Sequence, residues 1–339
     1  MNSKNALDNI KSDFFIRKIF DLIPKNISFR IVNYNKKLQK KLKINIKDFI
    51  EINDIYGATT IEIIPMKNKY GKFINIEEKD KTYYHIYFND NKKEIKNKYS
   101  INEEDKVEKI KIRINYKVDS FNYLFKECNC IESIDFKKYC CKKGNIEYIF
   151  FGCSSVKELN LSNFSNIKIT NTKSIISGCS SLQKINLSNF HNIEIINFKE
   201  TFSECTSLKE FVASNFHNIE IINMFSTFSG CSSLQKIKLS NFHNNKIVNI
   251  DYTFSGCKSL KEFEANNFYK DEIVHMKENF SECSLLKQLN LSNFNDNEIV
   301  NMNSVFTGCI SLEKLNRSNF NNNEIINLIN LINMGSILN

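Results

Sequence analysis

The stretch Phe228-Ser-Gly-Cys231-Ser-Ser-Leu234-Gln-Lys-Ile237-Lys-Leu239-Ser-Asn-Phe242 decides the fold, because the chain repeats it. Its cysteine recurs as Cys128, Cys153, Cys179, Cys205, Cys231, Cys257, Cys283 and Cys309, with a first step of 25 residues and six further steps of 26. A fixed period in this range is the mark of a solenoid, in which each repeat is one coil stacked on its neighbours. Three positions before each column cysteine sits Phe125, Phe150, Ile176, Phe202, Phe228, Phe254, Phe280 or Phe306. One before it sits Gly or Glu. Apolar residues follow at three, six, eight and eleven positions after, as in Leu286-Lys-Gln-Leu289-Asn-Leu291-Ser-Asn-Phe294. Apolar positions three and then two apart describe a short strand with alternate side chains pointing into the coil. A further apolar patch, such as Ile299, Val300 and Met302, closes the coil around one layer of Cys, Leu, Phe and Ile. Layers about 4.8 Å apart give seven or eight coils a length of roughly 35–40 Å.

Two details argue for shared packing. Where the sixth position enlarges to Phe211 or Phe263, the eighth shrinks to Ala213 or Ala265, which conserves core volume. Coils also alternate, Leu-Gln-Lys-Ile after Cys179 and Cys231 and Leu-Lys-Glu-Phe after Cys205 and Cys257, as a duplicated two-coil unit would. The cysteine column reads as a ladder of buried, reduced small hydrophobes rather than a disulfide framework.

The phrases Phe228-Ser-Gly-Cys231-Ser-Ser-Leu234 and Leu289-Asn-Leu291-Ser-Asn-Phe294 resemble the leucine-rich repeats of BspA-like surface proteins and the related repeats of mycoplasma lipoproteins. The resemblance covers about residues 125–328 and implies a right-handed leucine-rich-repeat solenoid used for binding. Phe stands where that motif usually ends in Asn, so the resemblance does not extend to that family's Asn ladder. The N-terminal Ile16-Arg-Lys-Ile19-Phe20-Asp-Leu22-Ile23-Pro24, followed by a Lys-rich segment, is similar to an F-box, without its leading Leu-Pro.

The remainder of the 339-residue chain differs in pattern. Residues 1–50 read as two amphipathic helices, the first capped by Ser12 and Asp13 with Phe15, Ile16, Ile19, Phe20, Leu22 and Ile23 in a stripe and stopped by Pro24. Ser28 caps the second, with Ile31, Val32, Leu38 and Leu42 apolar. Residues 51–117 read as a β-rich module with strands over Thr59–Pro65, Lys72–Glu77, Tyr83–Asn89 and Val107–Tyr116. It is placed to cap the raw end of a solenoid. The expected class is therefore α+β with a β-solenoid: a helical segment at 1–50, a β-rich capping module at 51–117, a solenoid of about eight coils at 118–330 and a tail at 331–339.

Net charge is +9, and residues 1–47 supply all of it, with 12 Lys+Arg against Asp8, Asp13 and Asp21. Residues 121–339 balance 21 Lys+Arg with 21 Asp+Glu, which gives no positive stripe for nucleic acid. No apolar run reaches the length of a membrane span, and Lys4, Asp8, Lys11 and Asp13 interrupt any signal-peptide core. A monomeric, cytoplasmic protein without a membrane contact is expected.

The candidate partner-binding residues point outward from the strands. They are Glu158, Lys184, Glu210, Lys236, Glu262, Gln288 and Lys314 five positions after the cysteine, and Asn160, Asn186, Lys238, Glu264 and Asn290 seven after. Opposite charges on adjacent strands support each other by about 0.2–1 kcal/mol per pair. Cys128, Cys130, Cys140 and Cys141 crowd the first coil with thiols fit for zinc but without its usual spacing, and no metal is expected. His191, His217 and His243 share one offset and would form a short ladder, read as a residue copied by duplication. Phosphate-binding, nucleophile-elbow and zinc-protease motifs are missing, so neither a catalytic site nor a cofactor is expected. A non-catalytic protein-interaction scaffold is the leading reading. A substrate adaptor of a ubiquitin ligase, with a second protein partner at residues 12–44, and a surface adhesion protein are the alternatives.

Overall fold

The computed structural model describes residues 12–22, 36–42, 58–115, 118, 120–140, 146–164, 171–186, 197–212, 223–239, 249–264, 275–290 and 304–316. The chain divides into two compact units, Met1–Ala58 and Thr59–Asn339.

In the first unit, α1 spans Asp13–Leu22 and α2 spans Lys36–Lys41. The Ser12 hydroxyl accepts from the Phe15 amide at 3.4 Å, the N-cap contact that spares an orphan donor. Ile16 and Leu38 are fully buried, whereas Phe14, Phe15 and Leu22 stay exposed. The apolar stripe expected on α1 is thus only partly covered. Ile23, Pro24 and the Ser28 cap lie outside the described residues.

The second unit begins with β1 (Thr59–Pro65), β2 (Gly71–Lys72), β3 (Tyr84–Phe88), β4 (Ser100–Ile101) and β5 (Ile110–Ile114). Alternation decides the faces: Ile110, Ile112 and Ile114 are buried while Lys111 is exposed. The strand expected over Lys72–Glu77 shortens to two residues. The Phe73 amide still donates to the Tyr99 carbonyl, but the Asn75 amide turns to the carbonyl of Leu124 at 2.7 Å. The Asn75 side chain donates to the carbonyls of Tyr123 and Lys126. This segment leaves its sheet to fasten the first coil.

Eight further strands follow: β6 (Ile131–Lys138), β7 (Glu158–Asn160), β8 (Lys184–Asn186), β9 (Glu210–Val212), β10 (Lys236–Lys238), β11 (Glu262–Glu264), β12 (Gln288–Asn290) and β13 (Lys314–Asn316). They form a β-solenoid with strand pairs parallel and in identical register, Leu159 beside Ile185 and Ile237 beside Phe263. β6 joins the two patterns. It pairs antiparallel with β1 and parallel with β7, in one sheet of order β3-β5-β1-β6-β7-β8. The capping module therefore covers the free edge of the first coil, which would otherwise template association with another chain.

Inside the coils the periodic residues stack in columns. Phe125 and Phe150 lie parallel with centroids 5.7 Å apart, and Phe202, Phe228, Phe254, Phe280 and Phe306 continue at 5.1–6.1 Å. Phe211 wedges edge-on between Phe202 and Phe228, and Phe263 between Phe254 and Phe280. Ala213 and Ala265, their expected compensating partners, lie outside the described residues, as do His191, His217 and His243.

Candidate interaction surface

Each coil has two described sides, and they are held differently. On the turn side, the amide three before the cysteine donates to the carbonyl four before the next cysteine. This runs Phe125 to Ile149, Phe150 to Ile175, Ile176 to Thr201, Phe202 to Thr227, Phe228 to Thr253, Phe254 to Asn279 and Phe280 to Val305, at 2.8–3.2 Å. Two residues per coil adopt left-handed backbone to aim these amides along the stack. One is five before the cysteine, as at Tyr148, Ser226 and Tyr252, and the other one before it. The second column reads Glu127, Gly152, Gly178, Glu204, Gly230, Gly256, Glu282, Gly308, all at positive φ. Glycine suits that conformation, and a side chain there costs about 1 kcal/mol.

Two further polar columns, of Asn and Thr, reinforce the turn side together with the cysteines. Asn171, Asn197, Asn223 and Asn249 bridge in parallel, and each side-chain oxygen accepts from the amide two residues on at 2.9–3.0 Å. This is an Asn ladder, placed eight before the cysteine instead of at the motif's end. Thr201, Thr227 and Thr253 are buried, and each hydroxyl lies 2.8–3.0 Å from two carbonyls, one in its own coil and one in the coil before. Asn279 fills the same column. Its amide reaches the Ile250 carbonyl, but its side-chain oxygen is buried with no hydrogen-bond partner among the described residues. All of these fall on the 26-residue period, so the polar residues carry the same periodic signal as the apolar ones.

The cysteines form the third column. Cys153, Cys179, Cys205, Cys231, Cys257, Cys283 and Cys309 each donate Sγ–H to the carbonyl of the residue three before the preceding cysteine, at 2.8–3.2 Å. That carbonyl also accepts its own coil's cysteine amide, as Phe125 does from Cys128 at 3.0 Å, so both lone pairs are used. Burial pushes the thiols up, Cys231 to about 12 and Cys309 to about 11, so they stay neutral and unreactive. In the first coil, Cys130 donates to the carbonyls of Gly71 and Lys72, and burial pushes it up to about 11. Its thiol pins β2 to the solenoid. Among the described residues no group of His, Cys, Asp and Glu is arranged to hold a metal, and Cys141 lies outside them.

On the strand side, pairing is interrupted between β8 and β9 and again between β11 and β12. The sequence-derived candidates all fall on these strands. Glu158, Lys184, Asn186, Glu210, Glu262, Gln288, Asn290 and Lys314 are exposed, and Asn160, Lys236 and Lys238 half-exposed. Glu264 lies on β11 in register with Lys238. Lys184 bonds Glu158 at 2.9 Å, and Lys236 bonds Glu262 at 2.5 Å. The hydrogen bond from Lys236 holds the Glu262 carboxyl below the usual carboxylate range. A depression of about 810 Å³ runs across β6–β9, and the first interruption crosses it between β8 and β9. Its lining includes Asp135, Glu158, Lys184, Ile185, Glu210, Phe211 and Val212.

Together these features define a leucine-rich-repeat β-solenoid with a β-sheet cap. The chain belongs to the family described as "Mycoplasma protein of unknown function, DUF285", which matches residues 119–237, 144–265 and 262–339. The match bears out the resemblance to BspA-like repeats of the mycoplasma type. Two solved structures are similar. A leucine-rich repeat protein from Bacteroides ovatus ATCC 8483 shares 16% identity with a TM-score of 0.22, over 60% of this chain and 77% of that one. A leucine-rich cell surface protein from Faecalibacterium prausnitzii A2-165 shares 11% identity with a TM-score of 0.24, over 76% of this chain and 97% of that one. No curated protein matches the chain. Among the described residues no helix is long and apolar enough to cross a membrane.

Proposed function

We propose that the chain is a non-catalytic protein-interaction scaffold whose strand side, from β6 to β13, is its binding surface. The observation that carries this reading is the row of outward side chains on short parallel strands, exposed or half-exposed among the described side chains from Glu158 to Lys314 and held in register within β6–β8, β9–β11 and β12–β13. Such a row offers ordered charge and amide groups on a rigid support, which sets partner choice more than raw affinity. A second attachment through residues 12–44, of the adaptor kind, is supported by the exposed Phe14, Phe15 and Leu22 of α1. We place the protein in a reducing cytoplasm, in keeping with its described cysteines, all of which are free thiols.

The test is crosslinking of the intact chain to partners captured from its own cells, beside the charge-reversed Lys184→Glu, Glu210→Lys, Lys236→Glu variant. Crosslinks on β6–β13 that the variant loses are expected. Crosslinks confined to the turn side, unchanged in the variant, would remove the reading. An isolated 12–44 segment that captures none of the same partners would remove the second attachment.

A further inference from the structure

The inward position six after each cysteine is sealed in most coils. Ile134, Leu159, Ile237 and Leu289 are at most 3% exposed. Ile185 is only half-buried, and it stands where β8 and β9 share no ladder bonds. The neighbouring Val212 is 44% exposed, and both line the depression of about 810 Å³. The strand side is thus less sealed at Ile185 and Val212, beside the missing cross-strand bonds, while Phe211 between them stays buried. The rim of the opening is charged. Glu158 is engaged by Lys184, and Asp135 by Lys137 and the Asn160 side chain. Glu210 has no ion pair among the described residues, although it is exposed at the lip beside Phe211 and Val212. The second interruption, between β11 and β12, differs. Phe263 is half-buried there too, but its neighbour Glu262 is already bonded by Lys236.

We propose that the β8–β9 opening is an anchor site for an extended segment of a partner protein, with one aliphatic or aromatic side chain next to a Lys or Arg. The apolar side chain seats over Ile185, Phe211 and Val212, and the cation takes Glu210. Four strands at the ordinary spacing span about 15 Å, room for four or five extended residues. A buried apolar anchor flanked by one charge-assisted bond is the usual form of a binding hot spot. This rests on the scaffold reading above and names the partner chemistry for one part of that surface.

The test is selection of a phage-displayed random peptide library on the full chain, with the selected peptides mapped by methyl-labelled NMR. Enriched peptides should pair an apolar residue with an adjacent Lys or Arg and shift the methyls of Ile185 and Val212 but not Ile237. Glu210→Gln, an exposed substitution whose fold is checked by circular dichroism, should weaken them about tenfold. Glu262→Gln should leave them unchanged. Peptides that shift Ile237 or Leu289 alone, or that lack the cation, would overturn this site and leave the scaffold reading intact. Peptides that map to the turn side, or a library that yields no binder, would overturn both.

Discussion

The turn side and the strand side of the same coils obey one 26-residue period, yet backbone bonds cross all seven described coil boundaries on the turn side and five of seven on the strand side. The turn side also buries its thiols, threonines and stacked rings, whereas the strand side turns one side chain per short strand inward and the described flanking ones toward solvent. The difference assigns cohesion to one side and frees the other to vary. A surface that does not hold the stack together can change residue by residue at little cost.

Raising the pH tests the comparison most severely. A neutral buried thiol has its folded pKa above the unfolded value near 8.5, so the unfolded chain releases the proton first. The stabilisation is complete below about pH 8, and it is lost as pH climbs toward the folded value, about 12 for Cys231. Each thiol then removes about 1.4 kcal/mol per pH unit. Urea midpoints should hold steady from pH 7 to 8 and fall steeply above pH 9, and Cys231→Ala should lessen the slope. A flat profile to pH 10 would show that the thiol column is not sealed.

Phe228→Ala comes next. Its ring is fully buried and stacks on Phe202 and Phe254, so its loss should cost about 3–5 kcal/mol by urea unfolding. A loss below 1 kcal/mol would mean that the turn side does not carry the stack. Asn279→Thr sharpens the same point in the opposite direction. It replaces a buried oxygen that has no partner among the described residues by the hydroxyl that three preceding coils use, and should raise stability by about 1–2 kcal/mol. Lys184→Ala is the smallest. The Lys184–Glu158 pair is largely exposed, and thermal melting should register no more than about 0.5 kcal/mol. A larger effect would erase the distinction between the two sides.

Much of this was legible in the sequence. The Phe, Cys and Leu columns follow from the period alone, and β1 matches the strand read at Thr59–Pro65. The Asn and Thr ladders were equally periodic, but a polar column discloses its role only when its backbone partners, in its own coil and the coil before, are known. Asn75 ended a strand early because its amide found the first coil, a partner some fifty residues away. Of the candidate surface, the residues were legible and the opening was not. Ile185 and Ile237 stand in the same local phrase, and only the missing bonds between β8 and β9 set them apart.

The glutamates at positive φ carry a consequence for how such a chain can lengthen. Glu127, Glu204 and Glu282 each lean over the glycine of the following coil, at Gly152, Gly230 and Gly308, in the space where a side chain would stand. Two glutamates in succession would crowd like charges one coil apart and displace the first side chain. The coils therefore have an order as well as a count: a glutamate coil takes a glycine coil as its successor. A duplication that respects this succession inserts quietly, and one that breaks it leaves a misfit at the seam.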